Sequence, residues 1–142
     1  MGGEGSNDRT GACGVDFVSP AMKSRSGPRY ELRPRIRVLR GETIVLGPGK
    51  ADLLQAIAET QELRAAARRL GMSYMRAWTL LRTMNRAFGR PLVETHRGGP
   101  THGVARLTPT GRRVLTLYRQ MERASVRACA AAWLRLEGLL PG

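Results

Sequence analysis

Between Leu63 and Phe88 the chain reads Leu-Arg-Ala-Ala-Ala-Arg-Arg-Leu-Gly-Met-Ser-Tyr-Met-Arg-Ala-Trp-Thr-Leu-Leu-Arg-Thr-Met-Asn-Arg-Ala-Phe, two helical runs that meet at a single glycine. Gly71 has no Cβ, so it can take the positive φ that ends the first run. Ser73 can accept a hydrogen bond from a free backbone N–H of the second run and so start it. Ala65, Ala66 and Ala67 are small enough for two helices to cross steeply at close range. Helix, short glycine-containing turn, helix is the outline of a helix-turn-helix, whose second helix lies in a DNA major groove.

The flanking segments predict what holds this unit. Arg35 to Arg40 and Thr43 to Leu46 are β-branched runs around Gly41-Glu42, which predicts a short hairpin broken by Gly47-Pro48-Gly49. Leu53, Leu54, Ile57 and Ala58 then recur at helical spacing up to Thr60. After Phe88, Gly89 and Pro91 stop the second helix. Leu92 to His96 and Val104 to Leu107 read as strands on either side of a flexible Arg97–Gly103 loop, the β-wing of a winged helix-turn-helix. Thr108-Pro109 is a helix start, a hydroxyl cap followed by proline at the first helical position.

The last helix should run from Pro109 to Leu136. Val114, Tyr118, Met121, Ser125, Ala128 and Ala132 step along it by three and four, flanked by Leu115, Leu117, Cys129, Trp133 and Leu136. A helix of this span is about 40 Å long, more than a small domain covers. The six stepped residues are therefore the expected interface with a second copy. The fold class expected is mainly α with small β-hairpins: a disordered basic, glycine-rich arm over 1–32, a winged helix-turn-helix over 33–108, a dimerisation helix over 109–137 and a tail over 138–142.

Charge supports a polyanionic partner. Lys and Arg number 24 against 11 Asp and Glu, a formal net charge of +13. Only Lys23 and Lys50 are lysine; every other cation is arginine, whose planar fork matches phosphate and guanine edges. Wound as a helix, Ser73 to Phe88 places Ala77, Leu80, Leu81, Met84 and Phe88 on one face. Met75, Arg76, Thr79, Arg82, Thr83 and Arg86 fall on the other. Ser73, Tyr74, Arg76, Thr79, Arg82 and Thr83 are the candidate contacts of the recognition helix. Arg64, Arg68 and, from the wing, Arg97, Thr101 and His102 are candidates for gripping the DNA backbone. Trp78 is expected to pack between helices.

Other chemistries find little support. Cys13 and Cys129 make neither a disulfide framework nor a zinc site, and His96 and His102 have Glu94 as the one carboxylate near them. No metal, cofactor or catalytic set is expected. No apolar run reaches the length of a membrane span, and the Gly-, Glu-, Ser- and Asn-containing start is no signal peptide, so the cytoplasm is the expected compartment. A sequence-indifferent, nucleoid-type protein is the alternative, since high charge alone would serve it.

Ala66 to Trp78 (Ala-Ala-Arg-Arg-Leu-Gly-Met-Ser-Tyr-Met-Arg-Ala-Trp), Met84-Asn85, Pro91-Leu92-Val93-Glu94 and Leu107-Thr108-Pro109-Thr110-Gly111 together resemble the N-terminal domain of the molybdate-responsive ModE regulators. LysR-type regulators share a more distant version. The resemblance covers Arg35 to Tyr118 and implies a winged helix-turn-helix that dimerises through terminal helices on palindromic operator DNA. Family members usually carry Gly-Ser where this chain has Gln61-Glu62. The family's oxyanion-binding domain has no counterpart in these 142 residues, so molybdate binding is not carried over. The expected partners are double-stranded DNA, a second copy, and as a further candidate a separate sensor protein.

Overall fold

In the computed structural model, which describes residues 29–97 and 103–142, a first hairpin is formed by β1 (Val38–Arg40) and β2 (Thr43–Leu46). Helix α1 (Pro48–Thr60) follows, then α2 (Leu63–Arg69) and α3 (Tyr74–Phe88). The wing strands β3 (Val93–His96) and β4 (Val104–Leu107) lead into α4 (Pro109–Glu137). Both hairpins are antiparallel, and the wing is in continuous register from Val93 opposite Leu107 to His96 opposite Val104. The fold class and the order of elements agree with the sequence patterns. Two boundaries differ: β1 starts only at Val38, and Pro48 and Gly49 sit inside the first turn of α1, where proline lacks the N–H that a first turn leaves unpaired anyway. The expected arm over 1–32 falls almost wholly outside the described residues. From Arg29 to Arg37 there is no regular structure, yet Ile36 packs against the core.

Leu53, Leu54 and Ile57 of α1, Ala66 and Ala67 of α2, and Ala77, Leu81 and Met84 of α3 are withdrawn from water and form one cluster with Leu92, Ala105, Leu107 and Tyr118. The corner between α1 and α2 is built without glycine. Gln61 itself takes the left-handed conformation, φ 55°, and its carbonyl accepts from Ala105 N at 2.9 Å, which ties the corner to β4. Thr60 Oγ1 donates to Ala56 O at 2.7 Å beside it. The Gln61-Glu62 departure therefore keeps a turn of the kind glycine usually makes.

Helix α4 is docked at its start. Thr108 Oγ1 accepts from Gly111 N at 3.0 Å and donates to Pro91 O at 2.8 Å, and Thr108 N donates to Leu92 O at 2.9 Å. Gly111 lies so close to residue 92 that a Cβ there would stand 2.0 Å from Leu92 O. Farther along, Tyr118 is fully buried and its hydroxyl donates to Ile36 O at 2.8 Å. Burial holds its phenol pKa above the usual value. The sequence stripe places Tyr118 at an interface between copies; instead it fills the protomer's own core, because the first turns of α4 still have the domain beneath them. Val114 is half-buried on the same core. Arg119 ties α4 to α1, reaching Asp52 at 2.7 Å and Glu122 at 2.8 Å.

Two substitutions test this packing by urea unfolding. Gly111→Ala should cost about 3 kcal/mol, since backbone rather than a flexible side chain must yield. Tyr118→Phe should cost about 1–2 kcal/mol by removing the bond to a shielded carbonyl. Wild-type midpoints for both would refute the docking described.

Candidate nucleic-acid interface

The turn before α3 closes as the sequence predicts. Gly71 has φ +64°, Met72 N donates to Ala67 O at 3.0 Å, and Ser73 Oγ accepts from Arg76 N at 3.1 Å. The helix then divides by face. Ala77, Leu81 and Met84 are fully buried, and Leu80 and Phe88 are half-buried against the same core. Ser73, Tyr74, Met75, Arg76, Thr79, Arg82 and Arg86 are exposed, with Thr83 half-buried beside them. The helix contains no acidic residue, so three guanidinium groups stand on one solvent face with no opposing charge on their own helix. The threonines are less free than their composition suggests. Thr79 Oγ1 donates to Met75 O at 2.9 Å and Thr83 Oγ1 to Thr79 O at 2.8 Å. Each therefore offers an outside partner lone pairs and a methyl group, while its proton is held by the helix.

The arginines of α2 separate into distinct roles. Arg69 is paired with Glu59 of α1. Arg68 is exposed, and the Arg64 guanidinium lies 5.2 Å from the ring centroid of Tyr74, a cation–π contact. Tyr74 and Trp78, one turn apart, face the wing rather than the arginine face. With Arg64, Thr95, His96 and Val104 they line a cleft of about 310 Å³. Trp78 is half-buried, packed on the core as expected.

In the wing, Glu94 stands opposite Arg106 and Arg97 is exposed just past the end of β3. Thr101 and His102 lie outside the described residues. Of the six α4 residues expected to meet a second copy, Met121, Ala128 and Ala132 are exposed. Ser125 is half-buried and donates to Glu122 O at 2.8 Å, and Val114 and Tyr118 face inward. Val126, Leu134, Leu136 and Leu139 add exposed apolar surface. Among the described residues no helix is long and apolar enough to cross a membrane, and no group of three or more His, Cys, Asp and Glu is assembled.

Some supporting residues are not evident from sequence pattern. Lys50 is buried and donates to Ile44 O and to Val45 O, closing the first hairpin onto α1; burial lowers its pKa. A signal was present, since Lys50 is one of two lysines in a chain that otherwise uses arginine. A compact ammonium fits between carbonyls where a guanidinium would not. Asn85 Oδ1 accepts from Leu92 N at 2.8 Å and so joins α3 to the wing. Arg86, which the helical period already sets on the polar face, is exposed beside Arg82 and belongs with the candidate contacts.

Comparison with known proteins finds sequence relatives for this segment. The profile of the bacterial regulatory helix-turn-helix proteins of the lysR family matches residues 50–112. The molybdenum-pterin-binding protein MopA of Rhodobacter capsulatus is 39% identical over 83 residues, 58% of this chain and 31% of that protein. The transcriptional regulator ModE of Haemophilus influenzae is 33% identical over 87 residues, 61% of this chain and 34% of that protein. The DNA-binding transcriptional dual regulator ModE of Escherichia coli is 37% identical over 71 residues, 50% of this chain and 27% of that protein. The chain thus spans about a third of the length of these curated relatives. Among solved structures, a CbnR_DBD–DNA complex aligns with a TM-score of 0.47 at 26% identity, over 59% of this chain and 95% of that one. Residues 50–112 thus match the bacterial regulatory helix-turn-helix proteins of the lysR family, and the chain's relatives in sequence include ModE-type regulators.

Proposed function

We propose that this chain is a sequence-specific DNA-binding transcription regulator that acts as a homodimer on an inverted-repeat site. The observation that carries the reading is the division of α3, whose apolar face is withdrawn while Arg76, Arg82 and Arg86 stand on the opposite side with no acidic residue on the helix. Such a helix suits a major groove, where arginine forks onto guanine. Arg76, Arg82, Thr79 and Thr83 would meet base edges. Arg68, Ser73, Arg97, Thr101 and His102 would meet the flanking backbone. The net charge of +13 draws the protein toward DNA at long range. A relative bearing the name DNA-binding transcriptional dual regulator supports the same reading.

Pairing is proposed from α4. The face that docks Gly111, Leu115 and Tyr118 continues past Glu122 into Ser125, Cys129, Trp133 and Leu136, and Met121, Ala128 and Ala132 run along its flank. A second copy of the same surface would cover that continuation and set two α3 helices about 34 Å apart. The protein would act in the cytoplasm, where such DNA lies.

Arg76→Ala and Arg82→Ala should each weaken binding to a preferred duplex by about 1–3 kcal/mol through one base pair and scarcely alter binding to a scrambled one. Equal loss on both would assign them to phosphate. Arg97→Ala should weaken both duplexes alike and make the salt dependence shallower by about one unit, as removal of a single phosphate ligand requires. An unchanged slope would remove the wing. Light scattering at micromolar concentration should give twice the protomer mass, and Met121→Glu should return it to one; a monomeric parent would refute the pairing.

A further inference from the structure

The cleft between the first turn of α3 and the base of the wing is not accounted for by base reading. We propose that it seats one sugar–phosphate unit of duplex DNA, with Arg64 as the phosphate ligand and Tyr74 as the platform that aims it; this rests on the DNA-binding reading above. The Arg64 guanidinium carries five N–H donors, and a cation–π contact with the Tyr74 ring does not use all of them. The contact therefore leaves N–H groups of Arg64 for an anion. The 5.2 Å separation places Arg64 in that pose before any ligand arrives, so little side-chain freedom remains to be lost on binding.

The walls suit the rest of a nucleotide backbone. Trp78 and Val104 give apolar surface for a deoxyribose, and Thr95 and His96 add polar groups at the rim. Among the described residues Glu62 is the one carboxylate on the lining, against Arg64 and Arg97. The cleft, about 310 Å³, has room for a sugar–phosphate unit. Its position completes the case. Tyr74 and Trp78 rise from the same helix as Arg76 and Arg82 but on the wing side. A duplex lying along the arginine face would thus pass a strand of its backbone over the cleft.

Salt titrations of binding to a preferred and a scrambled duplex, followed by fluorescence anisotropy, test the assignment on the full chain. Arg64→Ala should weaken both complexes about ten-fold and lower the salt slope by about one unit. Tyr74→Phe keeps the platform and should bind like the parent. Tyr74→Leu should reproduce most of the Arg64→Ala loss although the arginine is intact, and the double variant should be no weaker than Arg64→Ala alone. Parent-like binding by Arg64→Ala, losses that multiply in the double variant, or a Tyr74→Phe loss equal to that of Tyr74→Leu would each overturn the proposal. Arg82→Ala serves as the control: its loss of duplex discrimination with Arg64→Ala unaffected would sink the cleft and spare the DNA-binding reading. A parent with no affinity for either duplex would sink the reading itself.

Discussion

Leu92 is the joint at which α3, the wing and the long terminal helix meet. Its side chain is fully buried. Its N–H donates to Asn85 Oδ1 at 2.8 Å, and its carbonyl accepts from Thr108 N at 2.9 Å and from Thr108 Oγ1 at 3.2 Å. The same peptide closes on Gly111, where no side chain would fit. The N–H and the carbonyl of this residue are thus satisfied from opposite sides, as a buried backbone requires. Because α3, β3 and α4 are tied at one residue, their placement is set where the Leu92 backbone is held by the Asn85 side chain on one side and by Thr108 and Gly111 on the other. The proposed reading of DNA needs that property: a helix in one groove and a wing beside it could register with a duplex only if their separation is constant.

The charge is distributed to match. Arg69 is turned to Glu59, and Arg119 to Asp52 and Glu122, so these cations brace α1 against its neighbours. Exposed pairs of this kind add little stability each, but they sort structural arginines from available ones. Those on the outer face of α3, with Arg64 and Arg68 beside it, have no carboxylate on their own helices. Arg76, Arg82 and Arg86 thus present positive charge on the outer face of α3, which suits the proposed contact with DNA.

Much of this is legible in the residues, for reasons that differ from element to element. Ser73 and Thr108 announce helix starts because a cap is a local event within three residues. Gly71 marks a turn that only a residue tolerant of positive φ favours. The two faces of α3 follow from its 3.6-residue period. What is not legible is anything that depends on which surface arrives from far along the chain. The apolar stripe of α4 is real, but periodicity does not say whether the protomer or a twin covers it. Its pattern assigns Tyr118 to the twin, while Ile36, 82 residues away, holds it. Gly111 reads as part of a motif, and its reason, the backbone of Leu92, comes only with tertiary structure. Gln61 adopts a left-handed turn without the glycine that would have signalled it, and Lys50 finds its carbonyls only once the hairpin has folded back.

Selection of bound sequences from a pool of random duplex DNA bears on the proposed function most directly. Paired copies that read bases through α3 would enrich an inverted repeat whose half-sites lie about 34 Å apart, centre to centre. A pool that emerges unenriched would mean that the arginine face grips DNA without reading it, and an enriched single half-site would mean that α4 does not pair two copies on DNA.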